Sequence, residues 1–166
     1  MKTKSVFIAY SAVIAAAYAV LTLISGALGL GYWSIQLRIS EALTILPLFT
    51  PAAIPGLTVG CIIANIFSFN PIDMLVGTCG TLLAAILTRA TRHITFKGLP
   101  LLSIFWPVII NAVFVGAELA VLYSPAATML SAFAVSALQV GAGQLVVCYG
   151  LGLPLYFAIQ KKNIFN

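Results

Sequence analysis

Two apolar runs, Val6 to Leu30 and Leu99 to Tyr123, decide what this chain can be. Each exceeds the ~20 residues that a helix needs to cross the hydrocarbon core of a bilayer. A soluble fold of 166 residues could not hide that surface, because 62% of the chain is hydrophobic and only 7% is charged. The sequence therefore reads as an integral membrane protein, an all-α bundle with very little outside the lipid. No linker, low-complexity tract or soluble segment can be cut from residues 1–166, so a single transmembrane domain is expected.

Charge sets the orientation. Eight basic residues against three acidic ones give a net charge of +5, which by itself would fit a nucleic-acid partner. Their placement does not. Lys2 and Lys4 precede the first apolar run, Arg89, Arg92 and Lys97 lie between two runs, and Lys161 and Lys162 follow the last. Lys and Arg concentrate in the cytoplasmic loops of membrane proteins. With both termini cytoplasmic, seven of the eight basic residues fall inside and Arg38 falls outside. The basicity is an orientation signal, and no nucleic-acid partner is expected. The N-terminus shares two lysines and an apolar run with a secretory signal, but the run is longer than the usual ~7–15 residues. It is kept as a membrane span.

Six helices follow, at roughly 6–28, 36–49, 53–67, 71–89, 100–123 and 130–159. After the first, a Gly-Leu-Gly-Tyr-Trp-Ser turn carries Tyr32 and Trp33, aromatics suited to a membrane interface. Pro47, Pro51 and Pro55 break or kink any helix there, so a tight turn is expected near Thr50 to Ala53. The second helix starts near Gln36, and it and the third are short for a full crossing. Tilting, bending or shielding by protein would accommodate them. Asn70, Pro71 and Asp73 read as N-cap, first helical position and first-turn acid of the fourth helix.

Ionisable residues within membrane spans are costly and face a bundle interior or a cavity. Arg38 and Glu41 are three apart, on one face of a helix, where they can pair or wall a binding cavity. Glu118 lies near the outer end of the fifth helix, and Asn111, seven residues earlier, shares nearly the same face. A carboxylate and an amide on one stripe can accept from, and donate to, the edge of a heterocycle. Plainer roles compete: Glu118 pairs with Arg38, and Asn111 joins helices by hydrogen bonding. Asp73 suits a first helical turn for reasons of charge alone, yet it also falls at the outer end. Gln139 and Gln144 point to different faces, so at most one meets the cavity of Glu118, and Asn65 is a further candidate.

Cys61, Cys79 and Cys148 are isolated in apolar segments and read as small core residues, while His93 is alone in a basic loop. Neither a metal site nor a cofactor is expected. No nucleophile–base pair or phosphate-cradling loop points to an enzyme, so active transport would draw its energy from another subunit. Small residues recur at a spacing of four on the first helix, as Ala12 with Ala16 and Ala15 with Ala19. Gly56, Gly60 and Ala64 repeat that spacing on the third. Such stripes let helix backbones approach closely, within one bundle or against a partner.

The strings RISEALTILPLFTPAAIPGLTVGCIIAN, NAVFVGAELA and LVVCYGLGLPL resemble the QueT family, and the resemblance covers nearly the whole chain. Members of that family are substrate-binding (S) components of energy-coupling factor (ECF) transporters. The resemblance implies a six-helix S component for a queuosine precursor, a 7-deazaguanine such as the 7-aminomethyl or 7-cyano form. It implies partners too: a shared transmembrane scaffold protein and two cytoplasmic ATPase subunits. The scaffold would be met through an Ala-x-x-x-Ala element on the first helix, for which Ala12/Ala16 and Ala15/Ala19 are the two registers. The pocket of such components opens outward among loops and helix ends, where Arg38, Glu41, Asp73 and Glu118 are expected. Gln144 departs from the glutamate that the family pattern implies beside a glycine. A competing class is a standalone proton-coupled carrier or intramembrane enzyme using the same acids. Short length and the lack of evident inverted repeats stand against it.

The charge pattern makes a direct prediction about sidedness. In a background lacking the three native cysteines, His93→Cys should resist an impermeant thiol reagent applied to intact cells and react once the membrane is opened. Labelling from outside would reverse the orientation.

Overall fold

The computed structural model describes residues 2–30, 37–66 and 71–162. Among them are six α-helices: α1 (Lys2–Ala27), α2 (Ala53–Ile66), α3 (Pro71–Ala90), α4 (Leu101–Tyr123), α5 (Met129–Gly150) and α6 (Gly152–Lys162). Two 3-10 segments, Ile39–Leu48 and Ala126–Thr128, complete the described helical structure. Four stretches are long and apolar enough to cross a membrane: Lys4–Ala27, Pro71–Ala90, Leu101–Tyr123 and Ala126–Lys162. The expected roles of Tyr32, Trp33, Gln36 and Asn70 lie outside the described residues.

The second expected helix is not an α-helix. Residues 39–48 wind as a 3-10 helix with Pro47 inside it. In an α-helix, the Pro47 ring would crowd the carbonyl of Leu43 and the missing N–H would leave that carbonyl unbonded. Length offers a second reason. At ~2.0 Å rise per residue, ten residues cover ~20 Å, whereas an α-helix of ten would cover only ~15 Å. The neighbouring α2, with 14 residues, covers ~21 Å at the α-helical rise. Tighter winding thus brings a short segment to the reach of its neighbour.

This segment runs through the middle of the bundle and packs against all six α-helices. Ser40, Glu41, Ala42, Thr44, Ile45, Leu46 and Pro47 are buried along it. At its far end the Arg89 guanidinium donates to the Pro47 carbonyl at 3.0 Å and the Leu48 carbonyl at 3.3 Å. Those are two of the carbonyls that a helix C-terminus leaves over, and a cation is the favoured partner for them.

The last expected helix, 130–159, is also corrected. It breaks at Leu151, which ends α5 with its N–H on the Val147 carbonyl at 2.9 Å. Pro154 has no N–H for the carbonyl of Gly150, and its ring disfavours a continuous helix across that point. α6 restarts from Gly152.

Close backbone approach fixes the remaining neighbours. A Cβ on Gly60 would lie 2.7 Å from the Ala15 carbonyl oxygen and 2.8 Å from the Tyr18 Cβ. One on Gly56 would meet the Ile14 Cβ at 2.9 Å, so α1 and α2 run side by side in parallel. On the other flank, a Cβ on Gly116 would lie 2.9 Å from the Ala137 Cα, where α4 and α5 meet antiparallel. The order of contacts gives the bundle two ends. Residues near 25, 38, 73 and 123 gather at one, and residues near 48, 89, 100 and 150 at the other.

The surface is inverted relative to a water-soluble protein. Val13, Val20, Leu75, Leu130 and Leu138 point outward, while Glu41, Asn111, Glu118 and Gln144 are buried. That is the arrangement a lipid solvent selects. Cys61 and Cys148 lie in the core as expected, but Cys79 is exposed on the outer face of α3.

The glycine contacts yield a stability prediction. Gly60→Ala must push α1 from α2 and should lower the thermal midpoint in detergent, at an overpacking cost of ~1–3 kcal/mol. Gly26→Ala, where a Cβ meets nothing within 4 Å, should leave the midpoint unchanged or raise it. Equal midpoints for the two variants would mean that the α1–α2 contact is not tight.

Candidate functional site

A polar stripe on α1 starts the site. Ser11, Tyr18, Thr22 and Ser25 recur at intervals of seven, four and three, so they share one face of the helix. All four meet the segment around the central 3-10 helix. The Ser25 hydroxyl accepts the Ile39 N–H at 2.9 Å, Thr22 donates to the Ser40 hydroxyl at 2.7 Å, and Ser11 donates to the Ala52 carbonyl at 3.0 Å. Tyr18, fully enclosed, donates its phenolic hydrogen to Oε1 of Glu41. From the opposite side, Asn111 on α4 donates to Oε2 of Glu41 at 3.3 Å. Both oxygens of a carboxylate that is 2% exposed are therefore held by donors. A buried carboxylate is tolerable only when satisfied in this way.

Around Glu41 lies a narrow cavity. Arg38 and Glu41 form one wall, Gly77 and Thr81 of α3 a second, Asn111 and Val115 of α4 a third, and Val140 and Gln144 of α5 the last. Glycine at 77 and 80 is what lets the amides approach. A Cβ at Gly77 would lie 2.9 Å from Nδ2 of Asn65, and one at Gly80 would lie 3.3 Å from Oδ1 of Asn111. The free volume is about 10 Å³, enough for about one water molecule. Small-molecule pockets usually run to ~300–1,000 Å³, so the walls must part before anything with rings can enter.

The structure places the six expected binding residues in three groups. Arg38, Glu41, Asn111 and Gln144 line the cavity. Asp73 sits at its edge, with Oδ1 3.8 Å from the Arg38 guanidinium. Glu118 lies beyond the lining, one turn past Val115 on the same face of α4.

Arg38 and Glu41 wall one cavity, as one of the two expected roles had it, while the close ion pair of Arg38 is made elsewhere. Arg38 is the N-cap of the 3-10 helix, extended (φ −98°, ψ 103°), and its carbonyl accepts the Glu41 N–H at 3.0 Å. Its recorded ion pair is with Asp73, and Glu41 is bound by Tyr18 and Asn111.

Other side chains have plainer places. Asn65 donates to the Asp73 carbonyl at 3.3 Å and to the Cys61 sulfur at 3.5 Å, tying α2 to the start of α3. Of the two glutamines on α5, Gln144 lines the cavity and Gln139 does not. On α1 the two alanine registers separate cleanly. Ala15 and Ala19 are 5% exposed, with Ala15 against Gly60, whereas Ala12 and Ala16 are exposed on the outside. Sequence reasoning missed Tyr18, Thr81 and Gly77. The signal for Tyr18 was the hydroxyl stripe itself, four polar residues on one face of an otherwise apolar run.

A family model described as QueT transporter matches residues 8–161 of the chain. A curated relative, the Queuosine precursor transporter QueT of Lactococcus lactis subsp. cremoris (strain MG1363), is 38% identical over 81 residues. That alignment takes in 49% of this chain and 48% of the relative, so the match spans about half the length of each. No solved structure matches.

The two-sided hold on Glu41 should appear as coupling. Tyr18→Phe and Glu41→Gln should each lower stability, by ~1–3 kcal/mol for a buried bond to a charged group. The double variant should lose less than the sum, by ~0.5–3 kcal/mol in a double-mutant cycle of detergent unfolding. Strict additivity would show that the two groups do not act on each other.

Proposed function

This chain belongs to the QueT transporter family, and we propose that it is the substrate-binding S component through which a bacterial cell takes up a queuosine precursor. The substrate class is a 7-deazaguanine. The observation that carries this reading is the polar cavity around Glu41, enclosed in a bundle whose outside is apolar. A guanine-type edge presents N1–H and an exocyclic amine, which need acceptors, beside a carbonyl that needs a donor. Glu41 and the Gln144 carbonyl supply acceptors, and Arg38, Thr81 and the two amides supply donors. The Lactococcus relative is named for transport of a queuosine precursor, which supports that coarser substrate class.

On this reading the protein itself is not an enzyme. A transmembrane scaffold protein and two ATPase subunits would supply the energy, and both termini would face the cytoplasm. Ala12 and Ala16 are the register available to a scaffold helix, since they form an exposed small-residue face on α1. Ala15 and Ala19 are occupied in holding α1 within the bundle.

Calorimetry on the purified protein tests the binding half, and one variant of α1 tests the docking half. The protein alone should bind a 7-deazaguanine, and Asn111→Leu should weaken that binding at least roughly tenfold. Ala16→Trp should bind normally yet fail to co-purify with the scaffold and fail in ATP-driven uptake. Unchanged affinity in Asn111→Leu would remove the cavity as the site, and normal uptake by Ala16→Trp would place the docking face elsewhere.

A further inference from the structure

One buried group is left over by everything described so far. Glu118 is 7% exposed, and its Oε2 has no hydrogen-bond partner among the described residues. The two other acids of the chain are engaged: Glu41 by Tyr18 and Asn111, and Asp73 by Arg38. The charged groups within reach of Glu118 are Asp73 and Arg38, and the guanidinium already faces the Asp73 carboxylate. A carboxylate oxygen in an apolar bundle with no donor is expensive to keep, so its natural partner is a group that brings both positive charge and N–H bonds.

Position says where that group comes from. Asn111, Val115 and Glu118 stand at i, i+4 and i+7 on α4, which puts them on one stripe. The first two line the cavity, and Glu118 continues the stripe towards the Asp73 end. Seven residues correspond to ~10 Å along the helix axis. A flat bicyclic base held by Glu41, Asn111 and Gln144 would therefore direct a short substituent along this stripe.

We propose that Glu118 is the acceptor for a protonated amine on the ligand, and so selects a precursor with an aminomethyl arm over its neutral cyano counterpart. The inference rests on the reading of the cavity as a deazaguanine site. An ammonium donates three N–H bonds and cancels the carboxylate charge. A nitrile nitrogen only accepts, so it would leave Oε2 as unpaired as before and set two acceptors against each other. The selection belongs to Glu118 rather than to Glu41, which already holds two donors and whose remaining acceptor capacity is assigned to the base edge.

The test crosses two ligands with two proteins by calorimetry. The unaltered chain should bind 7-aminomethyl-7-deazaguanine at least roughly tenfold more tightly than the 7-cyano compound. Glu118→Gln, nearly isosteric, should lose roughly tenfold or more for the aminomethyl form while changing the cyano form by less than about threefold. Retained cyano binding also certifies that the variant is folded. Equal affinities in the unaltered chain, or a preference that survives in Glu118→Gln, would overturn the assignment while leaving the deazaguanine site standing. An equal loss for both ligands would return Glu118 to a general role in the cavity. Binding of neither compound by the unaltered chain would overturn the site itself, and the amine selection with it.

Discussion

A carboxylate buried in an apolar bundle is the constraint around which the rest of this molecule is arranged. Glu41 is 2% exposed, and it sits on a 3-10 segment that touches every α-helix. Ionised, it must have its oxygens satisfied from within, because lipid offers no donors. α1 meets that demand with Tyr18 and α4 meets it with Asn111, from opposite sides. Helices that need not otherwise meet are thereby tied to one central point. The glycines on α2 and α3 serve the same end, since they bring α1 close at 56 and 60 and admit the amides at 77 and 80.

Much of this was legible in the sequence, and the misses have physical causes. The apolar runs, their order and most of their ends followed from length and from proline and charge placement. Four of the six expected binding residues do line one cavity, because ionisable and amide groups in so apolar a chain have few other places to go. The 3-10 winding of residues 39–48 was not legible. Local pattern barely separates an i→i+3 ladder from an i→i+4 one, and the distance to be spanned is a tertiary fact. The break after Gly150 could have been read from Gly-Leu-Gly-Leu-Pro, where proline follows two glycines, but the surrounding apolar run masked it. Periodicity could not choose between the alanine registers on α1 either. Ala12/Ala16 and Ala15/Ala19 are equally small, and only the position of Gly60 decides which pair turns inward.

α1 carries two surfaces of different character. Its inward face alternates hydroxyls, which bind the 3-10 segment, with small residues, which let α2 approach. Its outward face presents Ala12 and Ala16 among Val13 and Val20. Tyr18 connects the two surfaces mechanically, since its ring is enclosed and its hydroxyl holds Glu41. A rotation or shift of α1 cannot leave that bond unaltered, and a disturbance at Glu41 is felt by α1. The Glu41 cavity and the outer face are thus joined through one short chain of contacts, Glu41 to Tyr18 to the backbone of α1.

The narrowness of the cavity bears on which of its contacts would yield first. At about 10 Å³ it is closed to any ring system, so entry requires its walls to separate. The α1–α2 and α4–α5 contacts depend on glycines with neighbours too close to admit a Cβ, and parting them forfeits dense packing. The bonds to Glu41 are buried, and breaking them would orphan a carboxylate. Arg38 and Asp73 differ from both. Their side chains are 24% and 18% exposed, and their closest approach is 3.8 Å. A partly exposed ion pair at that distance contributes little, because water near the bundle end can replace each partner. Of the contacts that wall the cavity, this pair therefore has the least to lose, and it stands at the end towards which the Asn111–Val115–Glu118 stripe runs. If the cavity is the binding site proposed above, the least costly way in passes Arg38, the one arginine that the charge pattern had set apart from all the other basic residues.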